Sequence, residues 1–238
     1  MNDVIPEYEG KAKQMLAGVD ASQMVQRFKN SATAFNGVKK AEFEGKGILN
    51  NAISSLFFEL LESKGVRTHF IERPNDRDMV VRRLKMIPLE VVVRNVVTGS
   101  LAKRTGLAEG TLVEPPIVET YFKNDALGDP ILCDCHVLMM KAATAAELAE
   151  LKRLGLQVNA ILRTAFEAAK LRLVDFKLEF GFDPTGAIVL GDEISPDTCR
   201  IWDQDGRKLD KDVFRQDLGD LIEVYEEVAQ RLGVKVNV

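Results

Sequence analysis

The stretch LVDFKLEFGFD, Leu173 to Asp183, constrains this chain more than any other. Val174, Phe176, Leu178 and Phe180 recur at every second position, and Asp175, Lys177 and Glu179 fill the gaps between them. Period two is the signature of a strand with one buried face. The turn-forming DPTG follows, and then AIVLGDEI, a second strand-like run. Together they predict a β-hairpin. With the turn centred on Pro184 and Thr185, Lys177 falls opposite Asp192, and Glu179 opposite Leu190. Asp175, Lys177, Glu179 and Asp192 then crowd one face. Two carboxylates beside a lysine suit a magnesium–phosphate site, because Mg²⁺ prefers hard oxygen ligands and an ammonium group offsets phosphate charge. A solvated edge strand with cross-strand ion pairs accounts for the same pattern. The charges continue past the strand into GDEISPD, a loop, where binding groups concentrate.

The remaining chain supplies helices and further strands. GILNNAISSLFFELLESKG has helical spacing at Ile48, Ile53, Leu56, Phe57, Leu60 and Leu61, with Gly65 placed to end the helix. RTHFIERPNDRDMVVRRLKMIPLEVVVRNVVTG reads as strands broken by turns, with RPNDRD as one turn and Pro88 as a place for the chain to pass between lobes. Thr144 followed by Glu147 is a capping-box pattern at the head of a long helix. A final helix is expected from about Asp212 to Leu232. Strands mixed with a few long helices, without regular βαβ alternation, point to an α+β fold.

Three other segments carry candidate chemistry. In YEGKAK, Gly10 precedes Lys11 and Lys13, which could lie over phosphates or form an exposed basic turn; the P-loop spacing is absent. In PLEVVVRNVVTGSLAKR, Arg94 interrupts an apolar run, and a buried cation needs a partner. Arg94 with Ser100, in the flexible turn TGS, could cradle a phosphate; a structural arginine–carboxylate pair is the alternative. CDCH, Cys133 to His136, suggests zinc, but a closed site needs four ligands, and only His69 and Cys199 remain elsewhere. Small apolar cysteines at a strand or loop are the simpler reading.

Composition narrows the function classes. The net charge is −4, so no general electrostatic attraction to nucleic acid is expected. No run approaches the roughly 20 apolar residues of a membrane helix. The opening MNDVIPEYEGKAK lacks the apolar core of a signal peptide, and three cysteines do not make a disulfide framework. A cytoplasmic protein is the expectation.

In order along nearly the whole chain, YEGKAK, ATAFNGVKK, EGKG, MIPLEVVVRNVVTGS, KNDALGDP, LVDFKLEFG, GDEISPDTCRIWD and KLDKDVFRQDLG resemble the SAICAR synthetase family. The chain departs from that pattern at Asn30 and Ser31, where the family commonly has acids. The resemblance implies an ATP-dependent ligase of purine biosynthesis. Such an enzyme joins L-aspartate to 5-amino-1-(5-phosphoribosyl)imidazole-4-carboxylate through an acyl phosphate, with Mg²⁺ as cofactor. It also implies a two-lobed α+β fold similar to ATP-grasp enzymes and kinases, with an N-terminal lobe over residues 1–86, a C-terminal lobe over 87–238, and the nucleotide between them. A homodimer acting on small molecules is expected.

The resemblance further implies roles for individual residues. Lys11, Ala12 and Lys13 would lie over the ATP phosphates, and Arg82, Leu84 and Met86 would hold adenine. Lys177 would contact the nucleotide, and Glu179 and Asp192 would carry Mg²⁺. Arg94, Ser100 and Arg200 would meet the phosphoribosyl substrate, with Asp129, Lys211 and Arg215 as further substrate-site residues. Asp175 would face the imidazole substrate or orient Lys177. Rival expectations are a kinase-like phosphotransferase on another small molecule and a non-catalytic nucleotide- or RNA-binding protein.

Overall fold

The computed structural model describes residues 5–34 and 38–236, so Phe35 to Gly37 of the ATAFNGVKK segment lie outside the described residues. Along the chain run β1 (Tyr8–Glu9), β2 (Lys13–Ala17), β3 (Gln23–Phe28), β4 (Ser31–Ala34), β5 (Lys39–Glu42), α1 (Lys46–Ser63), β6 (Phe70–Glu72), β7 (Asp78–Arg82) and β8 (Lys85–Val96). They are followed by α2 (Gly99–Thr105), β9 (Leu112–Phe122), β10 (Ile131–Leu132), α3 (Asp134–Met139), α4 (Ala145–Ala168), β11 (Arg172–Phe182), β12 (Ile188–Gly191), β13 (Cys199–Trp202), α5 (Asp212–Gln216) and α6 (Leu221–Arg231). One antiparallel sheet has the order β1-β2-β3-β7-β6, a second β10-β9-β8-β11-β12 with β13 also paired to β11, and β4 and β5 form a small antiparallel pair of their own. The chain leaves the first sheet at Arg82 and enters the second at Lys85.

The alternation in LVDFKLEFGFD does what a two-faced strand must. Phe176, Leu178 and Phe180 are buried in the main core, and α4 lies against β8, β9 and β11. Val174, expected beside them, packs instead with Val96 and Trp202 in a separate small cluster while Leu173 joins the main core, because the pairing of β11 with β13 slips between Leu173 and Asp175. Burying one such side chain contributes about 1.5–3 kcal/mol. α1 packs on the first sheet, and Phe57 meets Phe166 of α4 with ring centroids 5.0 Å apart, so one core runs through both halves.

Local signals act where expected. Thr144 accepts from the Glu147 backbone N–H, and the Glu147 carboxylate accepts from the Thr144 N–H, closing the capping box. Gly65, at φ 80°, follows the end of α1, and the Val66 N–H reaches back to the Leu61 carbonyl.

Five expectations need correction. First, β11 is not an edge strand, because β8 flanks one side and β12 and β13 the other. Second, the hairpin register differs by one residue: Glu179 pairs with Gly191, and Phe180 with Leu190. The loop has three residues, with Gly186 at φ 83° taking the left-handed position, and this shifts the pairing. Third, Pro88 lies within β8, where the ladder to β11 is irregular between Glu179 and Gly181, a place that tolerates a missing N–H. Fourth, Thr98 stands at the N-terminal boundary of the short α2, its hydroxyl donating to Glu109 rather than capping the helix, so TGS begins a helix instead of a flexible turn. Fifth, the last helix is two helices. Asp217 takes a left-handed conformation, Gly219 follows at φ 152°, and Asp220 caps α6 by accepting from the N–H groups of Ile222 and Glu223.

Candidate active site

Strand parity builds the site. β8 and β11 pair Arg94 with Asp175, Val92 with Lys177, and Glu90 with Glu179, while β9 sets Tyr121 opposite Glu90 and Glu119 opposite Val92. The face away from α4 is therefore a polar layer of Glu90, Arg94, Glu119, Tyr121, Asp175, Lys177 and Glu179. It is largely dry: Asp175 is 4% exposed and Glu179 2%.

Two cavities open on this layer. One, of about 520 Å³, lies between the sheets. Its apolar part is made by Met15, Met24, Val81, Leu84 and Met86, and its charged part includes Lys11, Lys13, Lys123, Lys177, Glu179 and Asp192. Ala12, Arg82, Asp129, Lys211 and Arg215 also line it. The other, of about 350 Å³, is lined by Arg94, Ser100, Asp129, Asp175, Arg200 and Arg215 among others. The cavities share Glu90, Asp129, Lys177, Asp197, Thr198 and Arg215. Every residue to which the family resemblance gives a nucleotide, metal or substrate role thus borders one cavity or both, while Cys133, Cys135 and His136 of CDCH border neither. Gly181 is needed here: a Cβ would stand 2.8 Å from the Leu84 Cβ, so only glycine lets the Leu84–Met86 segment lie across β11.

Around Lys177 the charges interlock. Its Nζ lies 2.5 Å from Glu179, 3.0 Å from Glu90 and 3.5 Å from Asp192. Lys123 donates to Glu179, and Lys13 donates to Asp192 and stands 2.8 Å from Glu193. Asp192 lies just past β12 at φ 63°, a left-handed conformation that Asp tolerates better than most residues. With Gly191 paired to Glu179, an extended residue 192 would point to the opposite face, and this backbone turn lets its carboxylate reach Lys13 and Lys177. Burial works to discharge Lys13, yet Asp192 and Glu193 hold it well above its usual range. Lys177 is likewise raised, against burial, by Glu179, Asp192 and Glu90. Burial favours protonation of Asp192, but Lys13, Lys177 and Lys123 hold it well below the usual carboxylate range. In Glu90 burial prevails over Lys177 and pushes the carboxyl up.

The second cavity has a different character. Arg94 is 3% exposed and has its donors occupied: Nε to Glu119 at 2.7 Å, Nη1 to Asp175 at 2.6 Å, and Nη2 to Ser100 Oγ at 3.1 Å and Tyr121 OH at 2.9 Å. Arg200 contacts Asp175 and Asp212, and Arg215 contacts Asp212, but both side chains keep exposed surface. Behind the shared wall, the fully buried Lys46 meets Asp197 at 2.5 Å, and the Tyr225 hydroxyl donates to the other Asp197 oxygen at 2.7 Å. Burial favours protonation of Asp197, but Lys211, Lys46 and Tyr225 hold it low. Burial lowers Lys211 despite Asp197.

Some predicted residues commit their side chains elsewhere. The Arg82 guanidinium donates to the carbonyls of Thr68 and Phe70, and Lys11 pairs with Asp125 near the surface. Cys133 and Cys135 are exposed, so the expectation of small apolar cysteines fails for them, while Cys199 is buried. No group of three or more metal-ligating side chains is assembled among the described residues. Sequence reasoning passed over Glu90, Lys123, Glu193, Asp197 and Lys46. Glu90 shares strand parity with Arg94, and that signal could have found it.

His69 is a further lining residue. It is 4% exposed, lies edge-on to Phe58 with ring centroids 5.1 Å apart, and its Nε2 has no hydrogen-bond partner among the described residues. Burial lowers its pKa to about 3. The unfolded chain, near the ordinary 6.5, therefore binds a proton that the folded chain refuses between those values. Stability falls as pH drops through that window, by about 1.4 kcal/mol per unit. From pH 7 to pH 5, wild-type unfolding free energy should fall about 2 kcal/mol more than that of His69→Gln. Urea titrations at both pH values check this, and equal losses would contradict it.

The comparisons agree with one another. A family model described as SAICAR synthetase matches residues 6–232. The chain is 56% identical over 227 residues to phosphoribosylaminoimidazole-succinocarboxamide synthase of Anoxybacillus flavithermus, covering 95% of each chain. It is 52% identical to the synthase of that name from Bacillus subtilis, covering 95% of this chain and 94% of the relative. A SAICAR synthetase solved in complex with ADP superposes with a TM-score of 0.94 at 51% identity, covering 97% of this chain and 99% of that one. The crystal structure of the synthase from Ehrlichia chaffeensis gives 0.95 at 45% identity, covering 98% and 100%.

Proposed function

This chain belongs to the SAICAR synthetase family, and from that premise we propose how its two cavities divide the work. The protein is an ATP-dependent ligase of purine biosynthesis. It joins L-aspartate to 5-amino-1-(5-phosphoribosyl)imidazole-4-carboxylate and releases the succinocarboxamide, ADP and phosphate. The observation that carries the site assignment is the shared wall. A nucleotide cavity and an anion-lined cavity meet at Glu90, Lys177 and Asp129, where a phosphoryl group and a carboxylate must meet.

The imidazole carboxylate attacks the γ-phosphorus, the bond to ADP breaks, and an acyl phosphate forms. The aspartate amine then attacks the acyl carbon, loses a proton and expels phosphate. Carboxylates are poor acyl donors, so the phosphoryl group supplies the leaving group. The enzyme's task is to hold several anions together by positioning and fixed charge. Adenine sits among Met15, Met24, Val81, Leu84 and Met86, crossed by the Arg82–Met86 segment. Lys11 and Lys13, with the Ala12 backbone between them, cover the phosphates, and Lys177 reaches the transferred group. Arg200, Arg215, Lys211 and Ser100 receive the phosphoribosyl substrate, and Asp129 closes the shared wall. Asp175 holds Arg94 and Arg200 together, and so orients the anion site instead of Lys177.

Glu179 and Asp192 are the acids that would hold Mg²⁺. Two carboxylates fit an ion that keeps waters and binds substrate phosphates. Lys13, Lys123 and Lys177, which pair with these acids here, would supply charge to the phosphate oxygens once a metal neutralised the acids. Bound there, Mg²⁺ would neutralise charge on the phosphates. A two-lobed division with the nucleotide between the lobes draws support from the passage between sheets at Arg82–Lys85, just ahead of the 86/87 boundary, which falls inside β8. No described helix is long and apolar enough to cross a membrane. A cytoplasmic homodimer is our reading from the family resemblance, and light scattering tests the dimer.

Purified protein with ATP, Mg²⁺, aspartate and the imidazole carboxylate should form amide and ADP together, and omission of any one should stop amide formation. A phosphorylated product accumulating without aspartate, and no amide with it, would overturn the ligase assignment.

A further inference from the structure

Away from the lysine–carboxylate layer, two thiols face each other. Cys133 Sγ and Cys135 Sγ stand 2.9 Å apart, and both side chains are exposed. Cys199 is buried and cannot serve as a partner without unfolding. We propose that Cys133 and Cys135 form a modification site, a reversible intramolecular disulfide made by exchange with low-molecular-weight disulfides.

The backbone permits the bond. Bridged cysteines need Cα atoms about 4.4–6.8 Å apart. Two residues of chain span at most about 7 Å, and less when bent. Here the chain bends: Cys133 is extended at ψ 164°, and α3 begins at Asp134. The intervening Asp134 is engaged by Lys152, whose ammonium meets both carboxylate oxygens at 2.6 and 2.7 Å. The two thiols are also unequal. The Cys135 thiol and the His136 N–H favour the Cys133 thiolate and lower its pKa, while the Cys133 sulfur raises that of Cys135. Thiolate character selects the attacker.

The exchange balances. The Cys133 thiolate attacks one sulfur of an oxidised disulfide such as glutathione disulfide, forming a mixed disulfide and expelling one thiolate. Cys135 then gives up its proton, attacks the Cys133 sulfur and expels the second thiolate. The two protein thiols are oxidised by two electrons, and the small disulfide is reduced to two thiols.

The test uses the full chain, equilibrated with glutathione disulfide, acid-quenched and weighed by mass spectrometry, with a parallel sample of the folded protein treated with iodoacetamide. Wild type should lose about two mass units, and its native iodoacetamide-reactive thiols should fall from two to none and return with dithiothreitol. Cys135→Ser should stop at a glutathione adduct on Cys133, and Cys199→Ser should behave as wild type. Wild type that stops at glutathione adducts, forms disulfide-linked dimers, or keeps both thiols alkylatable would overturn the proposal.

Discussion

Glu179→Gln should lower kcat/KM for ATP by about 100- to 1000-fold while the protein stays folded. Removing one preorganised charged contact in a water-poor site costs about 2.7–4 kcal/mol of transition-state stabilisation, and each tenfold in rate is about 1.4 kcal/mol. Glutamine keeps the shape of Glu179 and one acceptor oxygen. Lys177 keeps Glu90 and Asp192 as partners, and Lys123 is partly exposed and can reach water. The melting temperature should therefore move little, and the loss should appear in ATP-dependent turnover. Initial rates over ATP and Mg²⁺ concentrations, read beside a thermal melt, check both. Unchanged turnover would return this strand face to a purely structural role.

Arg94→Ala should destabilise the fold by about 3–5 kcal/mol, the range for breaking a buried ion pair from one side. The residues alone leave Arg94 open between a phosphate cradle and a structural ion pair, the family resemblance implies a phosphoribosyl contact, and Arg94 does border that cavity. Yet its guanidinium already serves Glu119, Asp175, Ser100 and Tyr121, and its removal leaves Asp175 buried with only Arg200 beside it. Arg94→Lys should recover little, because one ammonium cannot reproduce a planar fork of donors. Arg200→Ala should act differently, raising KM for the imidazole substrate with a smaller loss of stability, since Arg200 lies at the cavity wall with part of its side chain exposed. Urea unfolding of the three variants, read beside KM for the imidazole substrate, separates these effects. A stable Arg94→Ala protein with a large KM defect would make Arg94 chiefly a substrate contact.

Much of this site was legible in the sequence, for an identifiable reason. The alternation at Asp175, Lys177 and Glu179 is a property of one strand, and a strand puts every second residue on one face whatever surrounds it. Arg94 stood out as a lone cation in an apolar run, and strand parity applied from it reaches Glu90 on the same face. The capping box at Thr144 and the end of α1 at Gly65 are equally local. The hairpin register was less legible, because Gly186 adds one residue to the loop and a one-residue slip changes which residues face each other. The break before α6 was missed because the Asp212–Leu232 pattern stays helical in composition, while Asp217 and Gly219 leave helical backbone geometry.

By itself, then, the sequence determined that there would be a strand with one apolar and one charged face, and which motifs would accompany it; its central place came only with β8 on one side and β12 and β13 on the other. Tertiary structure alone decided the pairings. Lys13 meets Asp192 across 179 residues of chain, and Lys46 meets Asp197 across 151. Whether Arg94 is free to hold a substrate or is already committed depended on strands β9 and β11 arriving on either side of it. Periodicity is fixed by neighbouring residues along one backbone. Charge compensation in a dry layer depends on distances between groups far apart in the chain, and those exist only once the two sheets have closed on the cavities.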